Sequence, residues 1–119
     1  MRPRDSLLEA ILAFKALDPR ISVNEIVAFL YTCENEGLSV QELAQVAELT
    51  QSTASRSLRS LGRPGSDWAQ APALGLLDAF LNPSDGRSHV VHLTDRGRAL
   101  RDLVDATIKR AVPIDYGPG

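Results

Sequence analysis

The chain has 119 residues, 44% of them hydrophobic and 24% charged, ordinary for one soluble globular domain with a single core. No apolar run approaches the roughly 20 residues of a membrane span, and the lone Cys33 excludes an intramolecular disulfide and a multi-cysteine zinc site, so a reducing cytoplasm is the expected setting. The net charge of −2 excludes a general nucleic-acid glue, but not a specific binder whose basic groups share one surface.

Three helix starts carry the same device. Ser6-x-x-Glu9, Ser22-x-x-Glu25 and Ser39-x-x-Glu42 each match a capping box, in which Ser and Glu satisfy each other's free backbone N–H groups. The first helix is expected at about 5–16, with Leu7, Leu8, Ile11 and Leu12 apolar, and Pro19 ends it. Its Glu9, Lys15 and helical period speak against a secretory leader after Arg2 and Arg4. The second, about 22–35, is apolar on more than one side through Val23, Ile26, Val27, Phe29, Leu30 and Cys33, which predicts a central, mostly buried helix with Gly37 as its C-terminal cap. The third, about 40–47, buries Leu43, Ala44 and Ala47, and a tight turn leads to a fourth at about 51–62 capped by Thr50.

Residues 62–73 hold two prolines and two glycines and read as a loop. Strands are predicted at 76–81 and 88–93, the second β-branched and partly alternating. A last helix, about 95–112, places Leu100, Leu103, Val104 and Ile108 at helical spacing, and the tail 113–119 is expected to be irregular. The expected fold is therefore mainly α with a small antiparallel β-hairpin: a single winged helix-turn-helix domain over 1–119, with the helix-turn-helix at 39–62 and the wing at 76–94.

The fourth helix carries the functional signal. At 100° per residue, Ala54, Leu58 and Leu61 fall within about 60° of one another and face the core, leaving Ser52, Arg56, Arg59 and Arg63 on the opposite side. Positions 51–63 hold three arginines and no acid inside an acidic chain. Gln51, Ser52, Thr53 and Ser55 stand at the helix N-terminus, where backbone N–H groups and the dipole favour a phosphate. Gln pairs with adenine, and Arg56 or Arg59 can fork onto a guanine edge.

The run Leu38-Ser39-Val40-Gln41-Glu42-Leu43-Ala44, followed by Leu49-Thr50-Gln51-Ser52-Thr53-Ala54-Ser55-Arg56, resembles the helix-turn-helix of the MarR family of bacterial regulators. Gly75-Leu76-Leu77, Asn82-Pro83-Ser84-Asp85-Gly86-Arg87-Ser88 and Val91-His92-Leu93-Thr94-Asp95-Arg96-Gly97 resemble its wing and the start of its next helix. The resemblance implies a winged-helix fold, a homodimer, and sequence-specific binding to pseudo-palindromic double-stranded DNA as a transcriptional regulator, usually a repressor, in the cytoplasm at the nucleoid. It also implies that Asp85 and Arg87 hold the wing, with Arg87 near the minor groove; Ser88 and His89 lie beside it, and His89 is a candidate for the DNA backbone. Residues 62–73 are an insertion relative to the family, and Trp68 is expected to pack that loop down. The resemblance also makes the terminal helices, 5–16 and 95–112, the candidate dimerisation elements; they are short for the family, which makes a small-molecule effector of its usual kind doubtful.

Nothing points to an enzyme or a cofactor. No Ser/His/Asp arrangement, glycine-rich phosphate loop or metal-ligand spacing is present, so neither a hydrolase nor a deaminase finds support. His89 and His92, three apart on a strand, point to opposite faces and do not share a metal. Cys33 reads as a core thiol rather than a peroxide sensor. The alternative to a DNA-reading regulator is a winged helix used for protein interaction, replication or chromosome organisation.

Overall fold

The computed structural model describes residues 2–110. The order is α1 (Pro3–Leu17), α2 (Val23–Glu34), α3 (Val40–Val46), α4 (Gln51–Ser60), β1 (Leu77–Leu81), β2 (His89–Leu93) and α5 (Asp95–Arg110). This is the expected α-rich winged helix with a two-stranded antiparallel hairpin. The last two positions expected in the final helix, and the tail beyond it, lie outside the described residues.

Two of the three capping boxes form. Ser22 and Ser39 accept from the backbone N–H of Glu25 and Glu42, whose carboxylates accept in return from the Ser22 and Ser39 N–H groups. The Ser6 box does not. α1 starts earlier, at Pro3, whose missing N–H costs nothing in a first turn, and the Arg2 N–H reaches the Asp5 carboxylate at 3.4 Å. Ser6 is instead buried and donates its hydroxyl to the Thr107 carbonyl at 2.5 Å, tying α1 to α5. α1 ends where expected, at an extended Asp18 before Pro19.

α2 is central, but it is not buried all round. Phe29 and Ala28 are in the core, whereas Val23, Leu30 and Tyr31 are exposed and Ile26, Val27 and Cys33 are only half-buried. Its C-cap is Asn35, not Gly37. Gly37 adopts φ +91° two residues later and donates its N–H to the Val91 carbonyl at 2.8 Å. Val91 N–H returns a bond to Leu38 at 3.0 Å, so segment 37–39 runs along the hairpin's second strand.

The core is built where these elements meet. The Phe14 ring meets Phe29 edge-on at 5.7 Å, and Leu58, Leu61, Leu76, Leu77 and Val91 are fully buried around them. Ala54, Leu58 and Leu61 face inward as the helical wheel requires. Leu43 and Ala44 of α3 are buried, while Ala47 is only half-buried because it caps the helix. α4 stops at Ser60, two residues short of expectation; Leu61 caps it, and donors between 62 and 77 take up the carbonyls at its end. Gln70, Leu74 and Gly75 donate to Arg59, Ser60 and Gly62, and Leu76 and Leu77 both donate to Leu61. The hairpin pairs Leu77 with Leu93 and Leu81 with His89. On α5, Leu100 and Val104 are buried, but Leu103 and Ile108 are exposed.

Candidate nucleic-acid interface

Thr50 caps α4 by accepting from the Thr53 N–H at 3.1 Å, which leaves the first turn of the helix open to solvent. Gln51 and Ser52 are exposed there, and Thr53 and Ser55 are half-buried. Glu25 of α2 anchors the far end of the helix by accepting from the Ser60 hydroxyl at 2.5 Å. α4 is thus fixed through its buried stripe and both ends, with one polar face outward.

The three arginines part company. Arg56 is exposed, and its side chain makes no hydrogen bond or ion pair with any described residue. Arg59 is half-buried: its Nε donates to Ser55 Oγ at 3.2 Å and its Nη1 to the Trp68 carbonyl at 3.3 Å, with the guanidinium carbon 5.9 Å from the indole centroid. Arg63 lies beyond the helix end and pairs with Asp78 of β1, its Nη2 at 2.8 Å and its Nε at 3.0 Å from the same oxygen. Asp78 and Trp68 are the partners that the sequence did not reveal. Asp78 gives no signal in a strand, whereas Trp68 is the single tryptophan of the chain.

Trp68 packs the inserted loop down as expected, 7% exposed and joined to the core. Its ring also lies 6.3 Å from that of His89, the first residue of β2. His89 and His92 do fall on opposite faces: His92 meets Phe80 edge-on at 5.8 Å on the outer side of the hairpin.

At the wing tip Asp85 is the organising residue. Its carboxylate accepts from the Arg87 N–H at 2.8 Å, the Ser88 N–H at 3.1 Å and the Ser88 hydroxyl at 2.9 Å. The Arg87 and Ser88 amides, with that hydroxyl, hold the Asp85 carboxyl below the usual carboxylate range. The Arg87 side chain is exposed and pairs with no described residue, so it is the Arg87 backbone that Asp85 holds. Ser88 and His89 are half-buried.

Elsewhere, a cavity of about 350 Å³ opens between α2 and α5, with Leu30, Cys33, Arg101 and Val104 in its lining. Burial pushes the Cys33 thiol up to about 12, outweighing the pull of Arg101. Among the described residues no group of three His, Cys, Asp or Glu side chains could hold a metal ion, and no helix is long and apolar enough to cross a membrane. α1 exposes Leu7, Leu8, Ile11 and Leu12, and α5 exposes Leu103 and Ile108.

No protein-family model matches the sequence, and no curated protein matches it. Solved structures do. The PcaV transcriptional regulator from Streptomyces coelicolor superposes with a TM-score of 0.60 at 22% identity, over 91% of this chain and 73% of that one. A MarR protein from Peptoclostridium difficile gives 0.63 at 17% identity, over 88% of this chain and 62% of its own length. Reduced AbfR bound to DNA gives 0.62 at 20% identity, over 97% and 74%. The fold is that of MarR-type winged-helix regulators.

Proposed function

We propose that this chain is a sequence-specific double-stranded DNA-binding transcriptional regulator, a cytoplasmic homodimer acting as a repressor, and not an enzyme. The observation that carries the reading is an outward α4 face with exposed Gln51, Ser52 and Arg56, and a wing whose tip exposes Arg87, neither arginine side chain pairing with a described residue. In a winged helix-turn-helix the second helix of the motif enters the major groove. Arg56 forks onto a guanine edge, and Gln51, Ser52, Thr53 and Ser55 serve the phosphates at the helix N-terminus. Arg87 reaches the flanking minor groove, with Ser88 and His89 behind it. The likeness in fold to AbfR, which was solved on DNA, supports this pose.

A homodimer supplies two such units about one helical turn apart, matching a pseudo-palindromic site. Leu7, Leu8 and Leu12 of α1, with Leu103 and Ile108 of α5, are the apolar side chains such a dimer would cover. The test is selection of bound fragments from genomic duplexes, followed by affinity measurement with Arg56→Ala. Loss of a base contact should weaken binding by about 1–3 kcal/mol without loss of helical content. Unchanged affinity would remove α4 from the interface.

A protein-interaction role is the second reading, favoured by the internal engagement of Arg59 and Arg63, which thins the cationic face. Salt separates the two readings, since affinity for DNA falls steeply as salt rises.

A further inference from the structure

Arg59, Trp68 and His89 form one contact chain between α4 and the hairpin. Arg59 lies on the same helix as Arg56, yet its guanidinium is committed within the chain, to Ser55 Oγ and the Trp68 carbonyl. The Trp68 indole lies 5.9 Å from that guanidinium carbon and 6.3 Å from the His89 ring. Trp68 is buried although its Nε1 has no hydrogen-bond partner among the described residues. An unpaired buried donor is costly, so the packing that holds the indole there must outweigh that cost.

These contacts join the helix to the turn end of the hairpin, where His89 pairs with Leu81. The loop is also sewn to α4 through its main chain, since the Gln70 N–H donates to the Arg59 carbonyl at 2.9 Å. A Cβ at Gly62 would fall 2.8 Å from the Ala69 side chain, which leaves no slack at the start of the loop. Arg59 is therefore gripped at both ends, by its carbonyl and by its guanidinium.

We infer that Arg59 and Trp68 are positioning residues: the inserted loop uses them to lock α4 and the wing into one rigid body, and Arg59 braces the interface without touching DNA. This rests on the DNA-binding reading above and divides its arginines by task, with Arg56 and Arg87 contacting the duplex. The physical reason is preorganisation. Two elements that must enter adjacent grooves together lose less freedom on binding when their relative pose is already set. A guanidinium suits the brace because its planar fork donates in two directions and stacks on an indole, which an ammonium cannot reproduce.

The test uses the full chain, because Trp68 is its only tryptophan and reports the brace directly. In the free protein, acrylamide quenching of Trp68 should be weak, and should rise in both Arg59→Ala and Arg59→Lys. Quenching of the unsubstituted protein should stay weak when the consensus duplex selected from a random-sequence library is added. Affinity for that duplex should fall several-fold in Arg59→Ala, with the slope of log affinity against log salt unchanged. Losing a phosphate contact in each protomer of the dimer would instead reduce its steepness by about 1.8. Losses in Arg59→Ala and Trp68→Phe should be non-additive, as expected of residues in one contact; should Trp68→Phe fold poorly, Arg59→Lys paired with His89→Ala serves in its place. A shallower salt slope, additive losses, or Trp68 becoming quenchable on DNA would each overturn the inference. Unchanged quenching in Arg59→Ala would refute the brace itself. A protein that binds no duplex, yet still exposes Trp68 in Arg59→Ala, would instead defeat the DNA-binding reading and leave the brace with nothing to position.

Discussion

Gly97→Ala sets two known effects against each other, and the structure decides which wins. Gly97 is the third residue of α5, where alanine by propensity alone would add up to about 1 kcal/mol of stability. A Cβ at that position, however, would stand 2.1 Å from the Leu76 carbonyl oxygen and 3.1 Å from its carbon. Ordinary contact needs about 3.5 Å, so the main chain must move by roughly 1 Å or more. Little there can move. Leu76 and Leu77 both donate to the Leu61 carbonyl, and the Leu76 carbonyl accepts from the Thr94 N–H at 3.0 Å. Thr94 in turn donates to the Gly75 carbonyl at 2.6 Å and caps the Gly97 N–H at 3.0 Å. Overpacking of this kind costs about 1–3 kcal/mol, and loss of the Thr94–Leu76 bond costs about 1 more. After the propensity gain, the net is a loss of about 1–3 kcal/mol, or a melting point lower by roughly 5–15 °C for a domain of this size. Thermal and urea unfolding followed by circular dichroism, at matched protein concentration because a dimer's stability depends on it, measures the difference. A variant as stable as the unsubstituted protein, or more so, would refute the reasoning.

Leu8→Lys with Leu12→Lys should convert a dimer to a monomer in sedimentation while α-helical content is kept; a persistent dimer would place the interface elsewhere. Cys33, with its thiol raised to about 12, should be thiolate in only about one molecule in ten thousand at pH 8, so its reaction with a chromogenic disulfide should be far slower than that of a free thiol. Rapid labelling of the folded protein at pH 7 would contradict this. The Asp85 carboxyl is held below its ordinary range, so its contribution to the wing tip is complete at neutral pH and is lost as pH falls through that lowered value. Protection of the Arg87 and Ser88 amides, read by nuclear magnetic resonance, should survive to that point and be absent at neutral pH in Asp85→Ala.

The elements that sequence alone revealed are those in which local chemistry and tertiary packing agree. Ser22 and Ser39 cap because apolar stripes follow them and no other group claims their hydroxyls. Ser6 fits the same spacing, but α5 offers its hydroxyl the Thr107 carbonyl and burial decides the outcome. The girdle of α2 misled for a related reason. Periodicity counts apolar residues but does not say which of them meet a neighbour in one protomer, and Val23, Leu30 and Tyr31 meet none that buries them. The α4 wheel placed Ala54, Leu58 and Leu61 correctly because helix geometry alone fixes their angle. It could not tell the fates of Arg56, Arg59 and Arg63 apart, since these depend on Trp68 and Asp78, nine and fifteen residues further along the chain. Long side chains are settled by partners, and partners at that separation leave no periodic trace.

The charge of the chain fits this division of labour. With Arg59 held by Trp68 and Arg63 by Asp78, α4 and the wing tip leave Arg56 and Arg87 as cations that pair with no described residue. Elsewhere Arg98 faces Glu36 and Asp95, and Arg101 faces Asp102, so these acids and bases largely cancel at close range. On the proposed dimer about four cations would meet a duplex, which corresponds to a salt slope near −3.6 and an affinity loss of about 150-fold between 50 and 200 mM. That dependence is too weak to hold a protein on random DNA and strong enough to orient it, so under the proposed reading selectivity has to come from base contacts of Arg56 and from the pose of the wing. A slope twice as steep would require Arg59 and Arg63 to leave their partners on binding, and the rigid interface would then be a moving one.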